Sequence, residues 1–124
     1  MRRSYVRGCA LHHSFNRGIG VHNVFQITIS DNVAYYIYGH VYFSEAGTET
    51  LNTWARNLGV MALQQTNMQQ TDMEPALFWI TNPSNYYTGN AAVGSDNYGY
   101  KLQIAGTPGG ACSACKKKVQ IALD

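Results

Sequence analysis

A chain of 124 residues that is 45% hydrophobic and only 13% charged can bury one core, and it is too apolar and aromatic to stay disordered. It is too poor in Lys, Glu and Leu for a helical bundle, and Gly and Tyr are abundant, which favours short strands joined by turns. The net charge of +2 hides an uneven spread: Arg2, Arg3, Arg7 and Arg17 open the chain, Glu45, Glu49, Asp72, Glu74 and Asp96 hold the middle, and Lys116, Lys117 and Lys118 lie near the end.

Met1 is followed at once by Arg2-Arg3 and strand-like residues, so no signal peptide is read there. No segment approaches the roughly 18 apolar residues of a membrane span. Gly8-Cys9-Ala10-Leu11 starts the first ordered run, and Cys9 is expected to be a buried small side chain. Val24–Ser30 alternates as a strand does, and Val33–Phe43 is aromatic and β-branched with a glycine break. A short helical turn is conceivable over Asn52–Asn57. Gln64–Glu74 is polar and Gln-rich and reads as a loop. The triplet Asn82-Pro83-Ser84 is blocked as a glycan acceptor by its proline. Cys112 and Cys115 form a lone Cys-x-x-Cys with no second ligand pair beside it, which does not make a zinc site.

An internal repeat organises these pieces. Cys9, Asn32, Asn57 and Asn90 each precede a small or apolar run, at steps of 23, 25 and 33 residues. The third step matches the others if residues 64–74 are inserted into one coil. Gly18, Gly39 and Gly99 serve as a second register point, seven to nine residues beyond the anchors. Steps of this size suit a solenoid, whose units bury their apolar faces only by stacking. Asn32, Asn57 and Asn90 are then expected to adopt left-handed turns and stack as a side-chain ladder. The competing reading is a β-sandwich with unrelated turn asparagines.

The run Ser4-Tyr5-Val6-Arg7-Gly8-Cys9-Ala10-Leu11-His12-His13-Ser14-Phe15-Asn16-Arg17 resembles a segment of the fibrocystin-L family, whose relatives include a hyaluronan-binding protein and a transmembrane hyaluronidase. Val21-His22, Gly39–Gly47, Asn52-Thr53, Asn57-Leu58-Gly59, Phe78–Asn85 and Ala91–Ser95 continue the resemblance in order. It implies an all-β fold: three to four coils of a right-handed parallel β-helix over residues 1–100, with an inserted loop at 64–74, cut from a larger extracellular or ciliary-membrane protein. Two departures stand out: Ala46 replaces the acid the family carries after Glu45, and residues 101–124 read as a divergent Gly/Pro/Lys-containing tail.

Candidate chemistry gathers around the first coils. Aligning Gly18 with Gly39 sets His22 opposite Phe43 and two residues from Glu45, about one inter-strand spacing of 4.8 Å away. With Arg17 alongside, a His–carboxylate pair suits a uronate-bearing polysaccharide: Arg holds the carboxylate and His or Glu moves a proton. His22, Glu45 and Arg17 are therefore the catalytic candidates. His12, His13, Asn16, Arg17, His40 and Glu49 are the ligand-binding ones. The plainer alternative has hydrogen-bonded coil histidines, with Arg17 paired to Glu45 or a carbonyl. Hydrolysis needs two spaced carboxylates, and Ala46 removes one, which favours binding over turnover. No metal site is expected, since His12 and His13 should point to opposite faces of a strand. No cofactor and no nucleic-acid partner is expected. The partner class is a glycan or an extracellular protein, and the tyrosines are expected to divide between core and surface ladders.

Overall fold

The computed structural model describes residues 4–67 and 70–104, so the tail from 105 onward, with Cys112, Cys115 and the lysine run, lies outside the described residues. Within the described residues, twelve short strands form three parallel four-stranded sheets, and each coil contributes one strand to each sheet. The first sheet holds β1 (Tyr5–Arg7), β4 (Thr28–Ser30), β7 (Thr53–Ala55) and β10 (Tyr86–Thr88). The second holds β2 (Ala10–Ser14), β5 (Val33–Tyr38), β8 (Leu58–Leu63) and β11 (Ala91–Ser95). The third holds β3 (Ile19–Val21), β6 (Tyr42–Ser44), β9 (Ala76–Ile80) and β12 (Tyr98–Leu102). The described residues form a parallel β-helix of four coils.

Register follows the asparagine anchors. Tyr5 pairs with Thr28, Thr28 with Thr53 and Tyr86 with Thr53, at the same 23, 25 and 33 residue steps. The longer third step comes from residues 64–75 between β8 and β9, which hold a single 3₁₀ turn at Gln70–Met73. The region around Asn52–Asn57 is not helical: Thr53–Ala55 is β7, because the flanking coils supply hydrogen-bond partners on both sides.

The ladder forms with its geometry shifted by one residue. The left-handed positions are Gly8, Asp31, Arg56 and Gly89, with φ of 66°, 58°, 53° and 62°. The anchor residue follows each of them. That single left-handed residue turns the chain sharply, and the next side-chain amide is aimed along the stack. Asn32 Oδ1 accepts from the Cys9 N–H at 2.9 Å, Asn57 Oδ1 from the Asn32 N–H at 3.3 Å, and Asn90 Oδ1 from the Asn57 N–H at 2.9 Å. Each Nδ2 donates to a strand carbonyl: Val6 O, Ile29 O and Trp54 O. Cys9 is exposed rather than buried: it holds the anchor position of the first coil, and no described coil stacks outside it. A second ladder occupies the turn before the first sheet, where Asn85 Oδ1 accepts from the Asn52 N–H and Asn52 Oδ1 from the Ile27 N–H, each at 3.0 Å.

Large and small residues interlock inside the coil. The inward column of the second sheet is Leu11, Ala34, Gly59 and Ala92, and bulk from the third sheet fills the space they leave. A Cβ at Gly59 would lie 3.0 Å from Leu77 Cδ2 and 3.4 Å from Tyr42 Cε2. Tyr42 stacks on Phe78, and Phe78 on Tyr100, each at 4.8 Å. The buried Tyr42 hydroxyl donates across the core to the carbonyl of Asn32 or Leu58, at 3.2 and 3.1 Å, and burial pushes its ionisation well above the usual phenol range. Tyr42 and Tyr87 thus face the core while Tyr5, Tyr35, Tyr86 and Tyr98 are exposed. Among the described residues, no helix is long and apolar enough to cross a membrane.

Candidate functional site: a polar corner on the third sheet

The site grows from the C-terminal ends of β3 and β6. Val21 pairs with Ser44, so His22 stands opposite Glu45 itself, not opposite Phe43. The glycine register point fails at Gly39: Gly18 and Gly99 share one column with Val41 and Leu77, and Gly39 lies two residues before it. Ser14 pairs with Ile37 and Ile19 with Tyr42, so the 23-residue step of the asparagine anchors holds across the turn from β2 to β3, and the 21 residues from Gly18 to Gly39 fall two short of it. His22 Nδ1 lies 3.2 Å from Glu45 Oε2, with both side chains about half exposed (55% and 43%).

Arg17 connects this pair to the interior. One guanidinium nitrogen is 3.6 Å from Glu45 Oε1, while Nε and a second terminal nitrogen grip Asp72 as a fork at 3.1 and 3.0 Å. Its plane rests over Phe43, 4.3 Å from the ring centre. Asp72 is only 1% exposed and also faces His40 Nε2 at 3.4 Å. His40 Nδ1 accepts from the Ala76 N–H, which puts the proton of a neutral His40 on the nitrogen facing Asp72. Asp72 rides on the 3₁₀ turn of the excursion, and the Lys101–Glu74 pair at 2.7 Å fastens the same excursion to the fourth coil.

The structure thus brings His22, Glu45 and Arg17 together and separates the other candidates. His40 and Glu49, expected to face a ligand, are fully buried. Glu49 Oε1 accepts from the Asn23 and Ala46 N–H groups at 3.1 Å, so it fixes the loop after Glu45. Asn16 is exposed in the turn before Arg17, and Ser14 Oγ donates to a carbonyl of that turn, Arg17 O, at 2.7 Å. His12 and His13 lie exposed on the second sheet and on the same side of it, contrary to simple strand alternation. The cause is a left-handed bend at His13 (φ 53°). Asp72 was missed because it lies in an irregular stretch, 55 residues from Arg17. Its one signal was a pair of acids, Asp72 and Glu74, in an otherwise uncharged Gln-rich loop.

Among the described residues, no group of three or more His, Cys, Asp and Glu side chains converges as metal ligands. The arrangement can donate from His22 and accept at Glu45, with Glu45 held by Arg17, which is itself anchored on the buried Asp72.

Comparison with known proteins agrees with this architecture. A family model described as CEMIP beta-helix matches residues 1–123. Fibrocystin-L of Mus musculus is 37% identical over 122 residues, covering 96% of this chain and 3% of the relative. The human cell surface hyaluronidase CEMIP2 is 32% identical over 120 residues, covering 77% of this chain and 9% of the relative. The human cell migration-inducing and hyaluronan-binding protein is 30% identical over 121 residues, covering 78% and 9%. No solved structure matches. The chain therefore corresponds to a small part of the length of these relatives.

Proposed function

This chain belongs to the CEMIP β-helix family, and from that we propose that it is an interaction segment of a large extracellular protein, binding a glycan at the His22–Glu45–Arg17 corner. The observation that carries the reading is the exposed His22–Glu45 pair, 3.2 Å apart and braced from beneath by Arg17. A protonated imidazole offers N–H donors to a uronate carboxylate, and Glu45 accepts from sugar hydroxyls or an acetamide N–H. Asn16, exposed in the turn before Arg17, adds a further polar group on the approach to Arg17. A relative whose name records hyaluronan binding makes an acidic glycan of that kind the first ligand to test.

Turnover is the second reading, favoured by the same dyad and by a relative named as a hyaluronidase. Glycoside hydrolysis by two carboxylates requires both to reach the scissile bond. Asp72 and Glu49, the acids that could join Glu45, are buried and committed to Arg17 and to backbone N–H groups. Binding without cleavage is therefore the better-supported function. The test is calorimetric titration of hyaluronan oligosaccharides, with chromatographic sizing of the long polymer. Binding should fall at least tenfold in His22→Ala and Glu45→Gln while polymer length stays constant. Shortening of the polymer that disappears in both variants would replace binding by hydrolysis, and unchanged affinity in both would move the ligand elsewhere.

A further inference from the structure

A second histidine pair sits away from this corner, on the outer side of the second sheet, and its geometry points to a different ligand. His12 Nδ1 and His13 Nδ1 are 3.1 Å apart, and both side chains are exposed. Neighbours on a regular strand point to opposite faces, but here the left-handed bend at His13 turns both rings to one side. The bend belongs to the scaffold: Tyr36, Met61 and Gly94 occupy the same place in the following coils, with φ of 57°, 60° and 66°. The His13 ring is also held. It stacks on Tyr36 with centroids 4.8 Å apart and planes 24° off parallel, and it meets Tyr35 edge-on at 5.7 Å.

Two imidazole nitrogens bound to one ion at about 2.0–2.1 Å are about 2.9 Å apart at a right angle and about 3.4 Å apart at the tetrahedral angle. The observed 3.1 Å falls inside that interval. Unliganded, the pair can share one proton as an N–H···N hydrogen bond, a contact of little value where water competes. We propose that His12 and His13 form a two-nitrogen chelating site for a divalent late first-row transition ion, copper(II) above nickel(II) and zinc(II). Imidazole suits all three ions, and affinity rises to a maximum at copper. Among the described residues no third His, Cys, Asp or Glu joins the pair, so the remaining positions are open to water or an oxygen donor. The site is independent of the glycan reading.

The test uses the whole 124-residue chain with its three cysteines changed to serine, so that thiols do not compete, and with no glycan present. Copper(II), nickel(II) and zinc(II) are titrated separately, and the copper complex is examined by electron paramagnetic resonance. One ion per chain is expected, with hyperfine structure from two imidazole nitrogens. Affinity should fall at least tenfold in both His12→Ala and His13→Asn, the latter chosen because Asn tolerates the left-handed bend. Unchanged far-ultraviolet circular dichroism would show that both variants keep the fold. Loss in only one variant would indicate a single surface imidazole and overturn the chelate. Equal affinity in both variants, or no binding at micromolar copper, would also overturn it.

Discussion

Replacing Asn57 with alanine tests the coil stack at its most connected rung. The Asn57 amide is 1% exposed and makes four contacts. Its Nδ2 donates to Ile29 O at 2.9 Å and Asn90 Oδ1 at 3.0 Å, and its Oδ1 accepts from Asn32 N at 3.3 Å and Asn32 Nδ2 at 2.9 Å. Some of these partners keep a second bond: Asn32 Nδ2 still reaches Val6 O, and Asn90 Oδ1 still accepts the Asn57 N–H. The Asn32 N–H and Ile29 O are the groups left short, in a dry site. An orphaned buried polar group costs about 1–3 kcal/mol, so two partly compensated ones should cost about 2–4 kcal/mol. Asn90→Ala, at a half-buried rung, should cost about half as much because water can replace the amide. Urea unfolding followed by Trp54 and Trp79 fluorescence reads both values, at constant m. A loss below about 1 kcal/mol for Asn57→Ala, or no difference between the two rungs, would refute the ladder as a source of stability.

Other substitutions probe different terms. Asp72→Ala leaves the Arg17 guanidinium without its forked partner; with Arg17 22% exposed, the loss should sit at or below the low end of the buried-pair range, about 2–3 kcal/mol by urea unfolding. Gly18→Ala would drive a Cβ into the Val41 carbonyl oxygen that accepts the Ile19 N–H, and should destabilise far more than Gly20→Ala, whose Cβ would meet only Phe43 at 3.8 Å; thermal melts of the two variants rank them. The forked hydrogen bonds from Arg56, at 2.7 and 2.9 Å, hold the Asp31 carboxyl down at about 2 against an ordinary 3.8. A carboxyl depressed in the folded state adds stability above its unfolded value. That stability drains away as pH falls through about 4 towards 2, so urea midpoints should drop over this window and drop less in Asp31→Asn.

Much of the coil was legible because one residue type marks one turn. Asn32, Asn57 and Asn90 carry the same duty, so their spacing is the rung spacing, and the 33-residue step located the excursion as well. The second ladder at Asn52 and Asn85 repeats that 33-residue step, but Ile27 stands where its third member would be. The left-handed bends were not legible: His13, Tyr36, Met61 and Gly94 share no chemistry, since neighbouring coils, not the residue, impose the conformation. That hid the convergence of His12 and His13. Of the corner, the His22–Glu45 pairing follows from register alone. The depth of His40, Glu49 and Asp72 depends on how one long turn folds back over the sheet, which no periodicity encodes.

The excursion between β8 and β9 carries a wider consequence. Eight more residues than the previous coil leave the stack and return without disturbing a single rung, as the unbroken pairing of Leu58 with Ala91 shows. Lengthening a closed loop from 25 to 33 residues costs only about 0.2 kcal/mol of chain entropy. This vertex is thus a place where the architecture accepts new sequence almost for free. Related chains can diversify there while conserving their cross-section, and a peptide grafted at 64–69 would be displayed on a rigid frame.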